Sequence, residues 1–257
     1  MDFTAAPPSS GATLALLYDW EHDEFDDDVD FYRSLAGRTG GPVLEVACGS
    51  GRILHPLAKA GLDVVGVDCS ADMLDRARGR FEEEGLQARL YQMDMTRDLP
   101  TGPFALVILA LDAFGFVSET GDQIRLLQRV AERLTPEGLV VIDLVHPASL
   151  ADPPGGAPML QRSAWSAGLQ AEVAKWVVRD VSFSEQQLTL TCFYDVSTRD
   201  GQMRRFVERV PLRHYSRFEM ELLCQAAGLE IEGIFGDYEL GPLRDTGDRM
   251  IFLAGRR

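Results

Sequence analysis

The feature that most constrains this chain is the alternation of short apolar runs with amphipathic helical stretches between residues 43 and 145. The runs at 43–47, 64–67, 88–91, 104–110 and 139–145 are each strand-sized. Between most of them, apolar residues recur at helical spacing: Leu54, Leu57 and Ala58, then Met73, Ala77 and Phe81, then Ile124, Leu127, Val130, Ala131 and Leu134. Strands that are apolar throughout are buried on both faces, and strands separated by helices are joined by crossovers. The pattern therefore dictates an α/β fold with a parallel, doubly wound sheet. Thr135-Pro136-Glu137-Gly138 is read as the stop of the last helix before the fifth run.

Beyond Pro147 the pattern changes. Residues 152–158, rich in Pro and Gly, read as a loop, and 172–181, 188–196 and 204–212 show partial period-two alternation, with Asp200-Gly201 as a hairpin turn. An antiparallel insertion is expected there. A helix at 217–227, a stop at Gly228 and strands near 229–235 and 250–254 then restore the parallel-sheet pattern. At the other end, a disordered start at residues 1–12 is expected to give way to one or two helices over 13–35. These surround an acidic block in which eight of the twelve residues 19–30 are Asp or Glu, read as a solvated helix face.

Composition narrows the partners. A formal charge of -15 repels polyanions, so neither nucleic acid nor an anionic membrane is an expected partner. Cys48, Cys69, Cys192 and Cys224 are far apart with no C-x-x-C pair, which fits reduced thiols in the cytoplasm better than a disulfide framework or a structural zinc site. Residues 1–12 lack the basic and apolar segments of a signal peptide, and no apolar run approaches membrane-spanning length, so a soluble chain is expected. Asp26, Asp27 and Asp28 diverge around a helix axis, and no metal is expected.

The segment Val43-Leu44-Glu45-Val46-Ala47-Cys48-Gly49-Ser50-Gly51-Arg52 places a glycine-rich turn directly after the first parallel strand. Backbone can approach a ligand closely there, and the following helix presents free N–H groups, which favours a nucleotide-like ligand. Counting from Gly49 and Gly51, the third glycine of a dinucleotide fingerprint is replaced by Leu54. Glu45 lies just before the turn, where a carboxylate would repel a pyrophosphate and attract a sulfonium or ammonium. The second strand ends at Asp68, placed to accept hydrogen bonds from two ribose hydroxyls or to cap the next helix.

Together these residues resemble the class I, Rossmann-like S-adenosylmethionine-dependent methyltransferase family, in particular small-molecule members with an antiparallel insertion. The resemblance spans most of the chain. Residues 43–52 resemble the glycine-rich first motif, with Ala47 where the first glycine is often found and Gly49, Gly51 and Arg52 completing it. The segment from Asp68 to Leu74 resembles the second motif and implies Asp68 for the ribose, with Cys69 and Met73 near the adenine. Gln92-Met93-Asp94-Met95 implies Asp94 and Met95 at the adenine amino edge, and Ala110-Leu111-Asp112 lies at the methionine moiety and acceptor pocket. The family implies a seven-stranded sheet of order 3-2-1-4-5-7-6 with the last strand antiparallel. It also implies an N-terminal helical lid over 1–40, a cofactor-binding domain from 41–147 with 215–257, and an inserted β lid over 148–214.

Methyl transfer from a sulfonium asks the protein mainly to align the nucleophile and exclude water, so the motifs identify the cofactor and leave the acceptor open among N, O and C nucleophiles. A small-molecule acceptor is expected, an amine or natural-product intermediate among the candidates, with the chain as monomer or homodimer. Where a proton must be removed, His146 at the end of the fifth strand is the leading base, or else a cap of the turn at Pro147. Asp112 and Tyr18 come next, then His214 and Tyr215; Leu17-Tyr18-Asp19 resembles a Tyr-Asp pair by which the family's lid covers the cofactor. A nicotinamide-dependent oxidoreductase shares the turn and Asp68 but gives Glu45 and Asp94-Met95 no role. A non-catalytic S-adenosylmethionine-binding module leaves the insertion without one.

Overall fold

The computed structural model describes residues 10–22, 24–150 and 156–257, so the expected disorder of residues 1–9 and most of the loop at 152–158 lie outside the described residues. The chain forms two compact units, Met1–Phe25 with Pro153–Leu212, and Asp26–Asp152 with Arg213–Arg257.

In the larger unit the helices are α2 (Asp27–Thr39), α3 (Leu54–Lys59), α4 (Ala71–Glu83), α5 (Thr120–Arg133) and α6 (Arg217–Ala226). Its strands are β1 (Val43–Val46), β2 (Val64–Asp68), β3 (Arg89–Gln92), β4 (Phe104–Leu109), β5 (Leu134–Val145), β10 (Leu229–Phe235) and β11 (Arg249–Arg256). They pair as one sheet of order β3-β2-β1-β4-β5-β11-β10. The pairs from β3 to β5 are parallel, and β11 runs antiparallel to both β5 and β10. This is the expected order 3-2-1-4-5-7-6 with its last strand reversed. The central strands are buried on both faces, successive residues pointing to opposite sides, whereas the edge strand β3, expected as a buried apolar run, is largely exposed. Leu44, Val46, Val107, Leu109, Val140 and Ile142 pack with α5 and α6, whereas Val43, Leu106, Ile108 and Val141 pack with α2, α3 and α4. Each such buried aliphatic contributes about 1.5–3 kcal/mol.

The helix stop at Thr135-Pro136-Glu137-Gly138 is resolved as an irregularity inside a strand. Helix α5 ends at Arg133, and β5 already pairs with β4 at Leu134, before the register shifts and resumes at Leu139. Helix α6 opens with a capping box, in which the Ser216 hydroxyl accepts from the Glu219 amide and the Glu219 carboxylate accepts from the Ser216 amide.

The smaller unit holds α1 (Ser10–His22) and a four-stranded sheet of β6 (Met159–Ser166), β7 (Ala171–Ser182), β8 (Gln187–Ser197) and β9 (Met203–Arg213), in that order. Leu17 and Trp20 of α1 pack on Val173, Val177, Cys192, Tyr194 and Val196. The N-terminal helical segment expected as one lid thus divides, α1 grouping with the inserted sheet and α2 with the parallel one. The alternation at 172–181, 188–196 and 204–212 marks β7, β8 and β9. Strand β6 escapes that pattern because it is a largely exposed edge strand whose pairing slips between Leu160 and Arg162.

Candidate active site

A parallel sheet binds ligands at the carboxyl ends of its strands where the strand order reverses, here between β1 and β4. The glycine-rich turn sits at that point. Ala47, Gly49 and Gly51 all have left-handed backbone, with φ of 58°, 53° and 74°; glycine adopts it without cost at the last two, whereas Ala47 holds it against the steric penalty of its Cβ. A Cβ on Gly51 would also lie 3.2 Å from Phe81 and 3.3 Å from Ala77 of α4. Beneath the turn, a Cβ on Gly66 of β2 would stand 2.7 Å from both Cys48 Sγ and Leu54 Cδ1, so the absent side chain lets the turn settle onto β2.

Glu45 is buried on β1, and its Oε2 has no hydrogen-bond partner. Burial pushes its carboxyl well above the usual range, a shift that Arg52 opposes and Asp28 and Asp68 reinforce. Arg52, assigned by resemblance to the cofactor, grips Asp28 of α2, with Nη1 donating to Oδ1 at 2.8 Å and Nη2 to Oδ2 at 2.5 Å. Asp28 is fully buried, which corrects the reading of the acidic block as a solvated face: one of its carboxylates is an internal counter-ion.

Asp68, at the end of β2, accepts from the Gly49 amide through Oδ2 at 2.9 Å and from the Ser70 amide through Oδ1 at 2.8 Å. The cap of α4 is the Ser70 side chain, accepting from the Met73 amide, so Asp68 is not the helix cap. Cys69 is exposed and Met73 half-buried at the start of α4. Asp94 is exposed after β3, where its Oδ1 accepts from the amide and hydroxyl of Thr96, which hold its carboxyl below the ordinary range. Met95 packs against the core.

At the end of β4, Ala110 is buried and the next two residues, Leu111 and Asp112, are left-handed with φ of 43° and 65°. The Asp112 carboxylate is committed: Oδ1 accepts from the Val145 amide at 2.5 Å and Oδ2 from Arg249 Nη1 at 3.0 Å. Burial raises its pKa, with Arg249 opposing. Arg249 Nε also donates to Oδ1 of the buried Asp143 at 2.7 Å, whose Oδ2 accepts from Tyr238 at 2.9 Å. This network was not apparent in the sequence, where Asp143 lies inside an apolar run and Arg249 more than a hundred residues further on.

His146 follows β5, and its Nδ1 accepts from the Ala148 amide at 3.0 Å, the turn-capping role. Tyr18 belongs to α1 of the smaller unit and stacks on His22 with ring centroids 4.2 Å apart. Tyr215 is buried, donating to the carbonyls of Phe114 and Val117, so it serves the core rather than a proton transfer.

Strand order, reversed last strand and glycine-rich turn after β1 define a Rossmann-like fold of the class I methyltransferase type. Residues 43–138 match the family described as a methyltransferase domain. The chain is 27% identical over 237 residues to the cypemycin N-terminal methyltransferase of a Streptomyces species, covering 89% of this chain and 87% of that protein. It is 28% identical over 215 residues to the dTDP-3-amino-3,4,6-trideoxy-alpha-D-glucopyranose N,N-dimethyltransferase of Streptomyces venezuelae, covering 83% and 85%. An S-adenosylmethionine-dependent methyltransferase structure from Clostridium acetobutylicum superposes with a TM-score of 0.81 at 19% identity, over 95% of this chain and 98% of the other. Residues 43–138 thus form a methyltransferase domain, and over most of its length the chain is similar to S-adenosylmethionine-dependent methyltransferases, which supports an enzyme of that activity.

Proposed function

We propose that the protein methylates a small-molecule acceptor, most favourably an amine, with the cofactor seated along the carboxyl ends of β3, β2, β1 and β4. The observation that carries the cofactor placement is Glu45, a buried carboxylate with an unpartnered oxygen beside the glycine-rich turn. A ligand bearing a sulfonium and an ammonium gains from that charge, whereas a pyrophosphate would be repelled. Asp68 keeps lone pairs beyond those taken by Gly49 and Ser70 and accepts from the ribose hydroxyls. Cys69 and Met73 flank the adenine, Asp94 and Met95 meet its edge, and Ala110 and Leu111 border the methionine end. Arg52 is reassigned from a direct contact to the counter-ion of Asp28 and Glu45.

When bound, S-adenosylmethionine supplies a methyl group already activated by its sulfonium. What the chain adds is alignment and the exclusion of water. Neither His146 nor Asp112 is assigned proton abstraction. With Nδ1 accepting from Ala148, a neutral His146 carries its proton on Nε2 and offers a donor there. Asp112 has both oxygens engaged. An amine that arrives unprotonated attacks through its lone pair and releases its proton to solvent afterwards, which needs no dedicated base. The amine is favoured because the names of both relatives specify N-methylation, one at an N-terminus and one on an amino sugar. The four free cysteines fit a cytoplasmic enzyme, and among the described residues no helix is long and apolar enough to cross a membrane.

The test is isothermal titration with S-adenosylmethionine and S-adenosylhomocysteine beside NADH, followed by a mass-spectrometric screen of amines, alcohols and carbon acids. Binding of the first two alone and a product heavier by one CH2 on an amine is expected. NADH binding in their place overturns the cofactor, and transfer to alcohols but not amines overturns the acceptor.

A further inference from the structure

We propose that Arg249 is a positioning residue for the methionine end of the cofactor, clamping Asp112 and Asp143 so that the Leu111-Asp112 turn at the end of β4 keeps its left-handed form. The inference rests on the cofactor placement proposed above and assigns it a support from the far end of the sequence.

Two consecutive side-chain-bearing residues with positive φ, Leu111 at 43° and Asp112 at 65°, persist only where their surroundings over-determine them. Here both amides of the turn and both Asp112 carboxylate oxygens are held. The Leu111 amide donates to Asp143 Oδ2 at 3.1 Å, and the Asp112 amide donates to the Asp143 carbonyl at 3.0 Å. The Val145 amide and Arg249 Nη1 take the two Asp112 carboxylate oxygens. Arg249 Nε joins the pair by donating to Asp143 Oδ1, and Tyr238 donates to Asp143 Oδ2 at 2.9 Å, with the Tyr32 hydroxyl at 3.4 Å from the same oxygen. Two carboxylates this close, one of them fully buried, repel each other unless a cation lies between them. Arg249 is that cation, and its planar fork reaches both at once. Burial works against its charge, but Asp112 and Asp143 outweigh that and push its pKa up.

The topology says which part of the ligand this turn meets. The order β3-β2-β1-β4 sets the end of β4 across β1 from the ends of β2 and β3, where the ribose and adenine are placed. The amino-acid arm of the cofactor therefore reaches toward Ala110 and Leu111, and the nucleoside does not. A clamp acting there affects one end of the ligand and spares the other.

That asymmetry is measurable on the full chain without turnover. Dissociation constants are measured by calorimetry for S-adenosylhomocysteine and for 5′-methylthioadenosine, which keeps the nucleoside and sulfur but lacks the amino-acid arm. The wild type is expected to prefer S-adenosylhomocysteine. In Arg249→Met that affinity should fall roughly tenfold or more, the scale of stranding a buried charge partner, while methylthioadenosine shifts by less than about twofold. Arg249→Lys keeps the charge but not the fork and should fall between. Tyr238→Phe removes one bond to Asp143 without touching charge and should lose a few-fold on S-adenosylhomocysteine alone, which carries the test if Arg249→Met does not fold. Equal losses on both ligands, or no loss on S-adenosylhomocysteine, would overturn the clamp. A wild type that does not distinguish the two ligands would overturn the cofactor placement instead.

Discussion

Asp28→Ala tests whether the acidic block hides an internal counter-ion. Asp28 is fully buried and accepts two charge-assisted bonds from Arg52, which is itself 7% exposed. Removing one partner of such a pair strands the other and costs about 3–5 kcal/mol. Glu45 remains as a second negative neighbour of Arg52, so the lower end, about 3 kcal/mol, is expected. For a unit of this size each kcal/mol moves the midpoint by about 2–4 °C, giving a drop of about 6–12 °C. All three tryptophans, Trp20, Trp165 and Trp176, lie in the smaller unit, so their fluorescence follows that unit. Circular dichroism or hydrogen exchange must follow the larger one. Arg52→Met alone and combined with Asp28→Ala completes a cycle in which the double variant should lose less than the sum of the singles by about 2 kcal/mol. A loss below about 1 kcal/mol for Asp28→Ala, the scale of an exposed pair, would refute the reasoning and restore the solvated face.

Glu45→Gln should stabilise the ligand-free protein at neutral pH, on the order of 1 kcal/mol, while weakening S-adenosylhomocysteine binding. Burial raises the Glu45 pKa, so the folded state holds its proton more tightly than the unfolded state, and the ionised group costs stability above the usual carboxylate range. The gain should therefore shrink as pH falls toward about 4.5; thermal midpoints across pH that show no gain at neutrality, or one that persists in acid, contradict this. Gly51→Ala should cost about 2 kcal/mol or more in chemical denaturation, combining a left-handed backbone with contacts at 3.2 and 3.3 Å, and a neutral result would show that the turn relaxes. His146→Ala should keep turnover within about fivefold, and His146→Asn should restore the turn; a loss above about 100-fold in both, with cofactor affinity intact, would reinstate a general base.

The parallel half of the fold was legible because each of its signals is local. A strand buried on both faces must be apolar throughout, and a turn that reaches φ of 74° at Gly51 selects glycine. The proposed cofactor site is readable for the same reason, since Glu45, Asp68 and the glycines sit at or just after the ends of consecutive strands. Strand β6 was not legible, because an exposed edge strand with a slipped register imposes no alternation on its sequence. Nor was the fate of Asp28 legible: within a run of acids, composition points to solvent, yet Asp28 and Asp19 are both buried, and Arg52, on the turn after β1, is the partner that holds Asp28 inside. At His146 the sequence offered both a base and a cap of the turn at Pro147, and the Ala148 amide donating to Nδ1 fits the cap.

The clamp shows why the reversed final strand matters for more than closing the sheet. Arg249 is the first residue of β11, and in a parallel strand the first residue would lie at the amino end, away from the ligand crevice. Because β11 runs antiparallel to β5, Arg249 instead pairs with Val145, two residues beyond Asp143 and at the carboxyl end of β5. The direction of one strand thus delivers a cation from the last residues of the chain to two carboxylates that end β4 and line β5. Moving that cation one residue along the strand would turn its side chain to the opposite face. Pairing register on β11 therefore sets which carboxylates Arg249 reaches at the β4 turn, and with it the proposed methionine end of the cofactor site, although no residue of β11 belongs to a recognisable cofactor motif.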